Sequence, residues 1–306
     1  MTDTSSTSPG TLAPGMAASP AVRRRGGSLR RRLPLVISLF LVVIVGAGGT
    51  AAYLTVRQSV LDAARTRLLT NARQWGQILS QGMAQRVEEA RRAAAHPALQ
   101  RRLGSADPAT VADAQRQLWA LLTAAPQNMS AELWSASGER LMEAVAGAGG
   151  DGPGFPPGTA FEPPRAAGLM PLQARGDLIY TEHVTEVKPA GPDASRRGFL
   201  VFRRRAASPA GGQAVARLIG AGNGLRMGSR ASGVWTDLGK RVDAPPSAPA
   251  GQIVSFRRAD GSGWLGTEVP VANTPFALWA ETPESVALGP AHTFWNAMLP
   301  IGALFV

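Results

Sequence analysis

The sequence has no cysteine among its 306 residues, which excludes disulfides and thiolate metal centres. Histidine occurs only at His96, His183 and His292, so a metal site would need carboxylates gathered around one imidazole. The segment "TEHVTE" offers Glu182, His183 and Glu186, but strand alternation puts the two carboxylates on one face and the imidazole on the other, so no metal ligands are assigned. Lysine is reduced to Lys188 and Lys240, and arginine carries the formal charge of +11, with six arginines in the first 32 positions. The remaining excess is modest and spread along the chain. Without a concentrated basic patch and a recognition module, nucleic acid is not a partner. Catalytic signatures are missing as well: there is no G-x-S-x-G elbow, no phosphate loop ending in Gly-Lys-Ser/Thr and no H-E-x-x-H. The run "GAGNGLRMG" lacks the third glycine of a dinucleotide fingerprint. No catalytic residue and no cofactor are assigned, and the chain reads as non-enzymatic.

Long apolar runs are present, at both extremities. Residues 1–32 are a Ser, Thr, Pro, Gly and Ala rich tail ending in Arg30, Arg31 and Arg32, expected to be disordered and cytoplasmic. Residues 33–56 carry no charge and are long enough to cross a hydrocarbon core of about 30 Å, which predicts a transmembrane helix. The arginines before it outnumber those just after it, so the N-terminus is placed in the cytoplasm and residues 57–292 on the other side of the membrane. A cleaved signal peptide is the competing reading, since Gly48, Gly49, Ala51 and Ala52 supply small residues for cleavage. The final run, residues 290–306, reads as the start of a second membrane helix with Trp295 at the interface, and the natural protein is expected to continue past it. The rival is a short buried helix.

Between these runs the periodicity changes twice. Leu61, Ala64, Leu68, Ala72, Trp75, Leu79, Met83 and Val87 recur every three or four residues, the spacing of one helix face, with His96-Pro97 ending the helix. That stripe is a dimer seam, a face laid on a sheet, or both in succession. Asp107-Pro108 caps a second helix bearing Val111, Leu118 and Leu122. "AELWSASGERLMEA" then reads as a hairpin turning at Ser137-Gly138. Residues 146–168 are too rich in Gly and Pro for regular structure, and strands are expected in "GDLIYTEHVTEV" and "GFLVFRRRAA". A helical "GGQAVARLIGAG" follows. Two strands are read in "NGLRMGSRASGVWTDLGKRV", a hairpin around Asp260-Gly261-Ser262-Gly263, and a closing strand in "TPFALWAET". In "VWTDL", Trp235 is read as packing and Asp237 as a carboxylate that stabilises a turn. The fold class is therefore α+β, a long N-terminal helix followed by antiparallel-sheet modules.

The membrane-proximal long helix, the "ELWSASGERL" hairpin, "GVWTDLGKRVDAPP", "GSGWLGTEVPVANTPFALWAETP" and the run into a second span together resemble the double-Cache, PAS-like periplasmic sensor regions of bacterial transmembrane receptors, above all sensor histidine kinases. The resemblance implies a long helix with a membrane-distal module over 57–206, a membrane-proximal module over 207–284, and one elaborated module as the alternative. It implies a homodimer, a small-molecule ligand held between the distal sheet and its covering helix and loop, and output through a HAMP linker to a histidine kinase, with a diguanylate cyclase, chemoreceptor or phosphatase as runner-up. Carried onto this chain, the ligand region holds Trp119, Trp134, Arg165, Arg175, Tyr180 and His183. Arginine suits a carboxylate or phosphate and aromatics suit planar or cationic groups. The clustered Tyr, Arg and Trp-Tyr pattern of the family's amino-acid binders is not visible, because Tyr180 is the only tyrosine beyond the first span. From a different class, the chain would be a membrane-anchored structural or assembly protein with no signalling output.

Overall fold

The structure is a computed structural model that describes residues 29–146, 155, 159–164, 166–189 and 197–304. Contacts divide the chain into two units, Met1–Ala52 with Ala297–Val306, and Tyr53–Asn296. In the first unit, helix α1 (Leu29–Ala94) carries the apolar stretch, whose best 18-residue window has a mean hydropathy of 2.4 with none of it buried. Leu35, Leu39 and Phe40 are exposed there, as side chains bathed in lipid would be. Helix α6 (Gly289–Leu304) is 16 residues long, and among the described residues only α1 has the length and apolarity to cross a membrane.

In the second unit, α1 ends two residues before His96, whose Nδ1 accepts from the Ala98 N–H and so caps α2 (Pro97–Gly104). This short helix has no counterpart in the periodicity reading. Asp107 caps α3 (Pro108–Thr123), accepting from the Ala109 and Thr110 N–H groups, with proline at the first helical position where its missing N–H costs nothing. The chain then forms β1 (Asn128–Ser135), β2 (Arg140–Val145), β3 (Gly168–Leu169), β4 (Gln173–Arg175), β5 (Leu178–Val187) and β6 (Gly198–Arg205). These make a first antiparallel sheet in the order β2-β1-β6-β5-β3, with β4 also on β5. Helix α4 (Pro209–Ile219) follows, capped by Ser208. Strands β7 (Gly224–Ser229), β8 (Val234–Thr236), β9 (Arg241–Val242), β10 (Ile253–Arg257), β11 (Gly263–Pro270) and β12 (Ala277–Pro283) build a second sheet in the order β10-β11-β12-β7-β8-β9. The one-turn helix α5 (Glu284–Ala287) leads into α6.

The architecture is thus α+β, a long helix followed by two antiparallel sheets, as the residue pattern and the resemblance imply. Three strands, not two, occupy 223–242, because Asp237 turns the chain between β8 and β9. Its Oδ1 accepts from the N–H groups of Gly239 at 2.9 Å and Lys240 at 2.8 Å, the role read for it from the sequence. The stripe on α1 is laid on this core. Leu68, Ala72 and Met83 are buried against Leu225, Met227, Leu265, Val269 and Leu278 of the second sheet, against Ile179 of the first, and against Leu172 just before β4. Farther along, Ala93 and Ala94 join Leu99, Ala114, Leu118 and Leu122 over Ala131, Leu133 and Leu200. At the other end of the unit the Tyr53 and Trp295 rings meet at 5.0 Å, pairing α1 with α6.

The face of the second sheet turned away from α1 is built differently. Trp235 and Trp279, both fully buried, lie flat over glycines on the neighbouring strands. A Cβ on Gly228 would fall 2.1 Å from the Trp235 ring and one on Gly266 2.2 Å from the Trp279 ring. Overpacking a dense core forces side chains off their rotamers. Gly266→Ala is expected to destabilise the chain by about 1–3 kcal/mol, read as a lower denaturant midpoint at unchanged slope, and Trp279→Leu in the same chain to recover part of that loss.

Candidate functional site

Strand alternation gives the first sheet two chemically distinct faces. Ala131, Leu133, Leu200 and Val187 point to the helices. Trp134, Val184 and Val201 point the other way, where Phe161 and Met170 of the connecting loop pack on them. In phase with that loop-facing row are three charged residues: Glu132 on β1, Arg203 on β6 and Glu182 on β5. Register places Ser130 and Glu182 directly opposite Arg203 on its two flanking strands.

These charges form one buried cluster. Arg203 is 1% exposed and Glu132 is 0% exposed, so neither is solvated and each depends on the other. Arg203 Nη1 donates to Glu132 Oε1 and, at 3.5 Å, to Ser130 Oγ, and its Nε donates to Glu182 Oε2 at 2.8 Å. Its guanidinium carbon stands 3.5 Å from the Phe161 ring centroid, a cation–π contact that closes the loop over the charge. The second carboxylate oxygen of Glu132 accepts the Trp134 indole N–H at 2.8 Å. Burial pushes the Glu132 carboxyl up from its ordinary range, against the pull of the Arg203 charge and the Trp134 hydrogen bond. Two carboxylates against one guanidinium leave this side of the sheet short of positive charge.

Beside the cluster, a cavity of about 510 Å³ opens between the sheet and the loop, within the size range of small-molecule sites. Its aromatic wall is Phe161 and Tyr180. Tyr180 stands edge-on to Phe155 at 5.1 Å and donates its hydroxyl to Gln173 Oε1 at 2.8 Å, and burial raises its pKa. Arg175 stands at the exposed β4–β5 turn, 5.9 Å from the Phe161 centroid. The cavity therefore presents Glu182 and Arg203 at its base, Arg175 and Glu162 at its edge and an aromatic side, a set that suits a small molecule bearing both charge signs or a polar end on an apolar body.

Of the sequence-predicted residues, the structure brings Arg175 and Tyr180 together in this cavity. Trp134 shares the face, but its indole is spent on Glu132. Arg165 lies outside the described residues. The structure does not bring Trp119 and His183 to this cavity: Trp119 is 41% exposed on α3, and His183 faces the helices, since β5 alternation sends it opposite to Glu182, where it lines a cavity on that side of the sheet. The sequence reading missed Arg203 and Glu132. Their signal was a charge in the inward phase of an otherwise apolar strand, "FLVFR" and "AELW".

Removing one member of a buried ion pair strands the other. Arg203→Met is expected to cost about 3–5 kcal/mol in chemical denaturation, and adding Glu132→Leu to recover part of it, so that the double change costs less than the sum of the two. His183 yields a pH prediction. Burial first, then the Arg91 charge, holds its pKa below the ordinary imidazole value, so the unfolded chain takes up the proton more readily than the folded one. Its contribution to stability is complete above about pH 6.5 and is lost as pH falls toward the folded-state pKa. In His183→Phe the drop in stability between pH 7 and 5 becomes shallower.

No protein-family model and no curated protein matches the sequence. Solved structures do share the fold. The ligand-binding domain of Pseudomonas fluorescens chemoreceptor CtaA, in complex with L-isoleucine, aligns over 77% of this chain and 98% of its own at 14% identity and a TM-score of 0.50. The extracellular domain of mmHK1S-Z2, named as a histidine kinase, aligns over 74% and 99% at 12% identity and a TM-score of 0.52. That of mmHK1S-Z3 aligns over 76% and 98% at 12% and 0.51. The chain has the two-sheet, long-helix fold of these extracellular sensor domains.

Proposed function

We propose that this chain is the signal-input region of a membrane receptor, anchored by the apolar segment of α1 and taking a small molecule in the loop-side cavity of its first sheet. The observation that carries the reading is the cavity itself. Charged groups of both signs, held by the buried Arg203 cluster, converge with an aromatic wall in a chain that also bears a helix fit to cross a bilayer. The module over 57–206 is then membrane-distal and that over 207–284 membrane-proximal. Tyr53 and Trp295, side by side, suit the interfacial level that such rings favour, where α1 and α6 enter the lipid of a bacterial inner membrane. The chain acts as a homodimer and passes ligand state to the cytoplasm by helix movement, most in keeping with a two-component sensor histidine kinase. Coupling of this kind requires the ligand to bind two conformations unequally. The CtaA domain holds L-isoleucine, which puts amino acids in the first panel of compounds to try.

The native absence of cysteine makes the topology directly testable. Ala112→Cys, on an exposed part of α3, is expected to react with a membrane-impermeant maleimide in intact spheroplasts, and Ser6→Cys only after lysis. The reverse pattern would refute the reading. For the ligand, a panel of amino acids and small organic acids is screened by thermal shift on the full chain in detergent. A hit whose shift disappears in Arg175→Ala and in Glu182→Gln supports the cavity, and a hit indifferent to both changes places binding elsewhere.

A further inference from the structure

The helix-facing side of the first sheet holds a second cavity, of about 570 Å³, between the C-terminal part of α1, α3 and the strands β5 and β6. Its apolar lining comes from Met83, Leu121, Leu169 and Phe202. Its charge is one-sided. Arg86 and Arg92 reach it from α1 and Arg204 from β6, against a single carboxylate, Glu89, that already accepts from Gln85 Nε2 at 3.0 Å. Among the described residues none of the three guanidiniums forms an ion pair. Arg86 Nη1 finds the Met83 sulfur at 3.5 Å, and Arg204 Nη2 donates to the Gln127 side-chain oxygen at 3.0 Å. Burial lowers the pKa of both Arg86 and Arg204, and the Arg86 charge lowers that of Arg204 further, with the nearby Glu89 carboxylate offsetting only part of this, the mark of cations partly stripped of water. A smaller cavity of about 260 Å³ shares Met83, Arg86, Thr181 and Arg204 and runs on to Val215 of α4 and Met227 of β7.

A cation that is partly desolvated and unpaired is costly, and an anion arriving between two of them recovers that cost through charge-assisted hydrogen bonds. The surrounding methionine, leucine and phenylalanine side chains add an apolar bed on which the rest of such a ligand would lie. We propose that this helix-side cavity is a second binding site, for an organic monoanion with a compact apolar body, its carboxylate gripped by Arg86 and Arg204. The site is separate from the loop-side cavity, on the other face of the same sheet, and stands whether or not that cavity takes a ligand. Its occupant would bridge α1 to β6, clamping the long helix to the sheet at the point where this cavity adjoins the smaller one.

The test is photolabelling of the full chain in lipid nanodiscs with 4-azidobenzoate. Saturable labels are expected on peptides covering residues 83–93, 117–128 or 202–204, displaced by benzoate and not by the neutral isostere benzamide. Loss of one charge-assisted contact predicts a drop of about tenfold or more in apparent affinity for Arg86→Gln and for Arg204→Gln. Arg116→Gln, which removes an exposed arginine of α3 outside the cavity, is expected to label as the unaltered chain does. Circular dichroism on each variant separates loss of the site from loss of the fold: a folded Arg86→Gln that still labels fully overturns the proposal. So do labels confined to residues 160–164 and 173–175 of the loop-side cavity, equal displacement by benzamide, or no saturable labelling at all.

Discussion

A carboxylate with no access to water sits on the seam of each sheet, and the rest of the molecule is arranged to keep it neutralised. In the first sheet it is Glu132, held by Arg203 and by the indole of Trp134. In the second it is Glu281, only 2% exposed, which accepts from Arg226 Nη2 at 2.9 Å, from Arg258, and from the Trp279 indole at 2.9 Å. The two constructions are alike in detail. The tryptophan stands two positions along the same strand, so it shares the face of its glutamate. One arginine comes from the neighbouring strand, and an arginine–ring contact caps the group, the same Arg203 on Phe161 in the first sheet and a second arginine, Arg258, on Trp264 in the other, each at 3.5 Å. Both carboxylates lie on the sheet face turned away from α1. Isolated charges in such positions would be prohibitively costly, whereas charges surrounded by fixed donors hold their strands in a single register.

This arrangement separates two duties between two surfaces. The surface toward α1 is apolar and close-packed, joining the helix to both sheets through Leu68, Ala72 and Met83. The opposite surface of the first sheet carries the polar cluster and the cavity beside it. Any group that enters there meets Glu182 and Arg203, which are tied to β1 through Glu132, so a disturbance of the cluster is felt across three adjacent strands. The helix-side cavity breaks the apolar rule on the surface toward α1, and it does so where α1 leaves the second sheet and passes over the first.

The elements were largely legible because their patterns are local. The α1 stripe, the Asp107-Pro108 cap, the hairpins and the closing strand each follow from spacings within a dozen residues, and the longer observed strands overlap the stretches read for them. Helix α2 escaped because His96-Pro97 reads as a stop, while in three dimensions the histidine restarts the helix by capping it. Strands β3 and β4 escaped because two or three residues are too short to show alternation. The site was legible only in part. Arg175 and Tyr180 were found as residue types suited to a ligand, but Arg203 was hidden in "RRR", where only the strand phase distinguishes the buried arginine from its half-buried neighbours. Trp119 and His183 stand apart from Arg175 and Tyr180 because sequence proximity to the sheet does not say which side of it a residue occupies. The long-range partner of a charge, 71 positions away for Glu132, is invisible to any window.

That separation has a consequence for how the chain is made. In each sheet the first strand lies beside the last, β1 beside β6 and β7 beside β12, and the ion pairs stitch these two together across 71 and 55 positions. As the polypeptide emerges from its N-terminal end, β1 must wait, with half its hydrogen bonds and the glutamate unmet, until β6 arrives, and distant pairings of this sort form slowly. Truncation anywhere before Arg203 would leave not a smaller version of the domain but an unclosed one, with a bare negative charge on an open strand edge for a chaperone or protease to find.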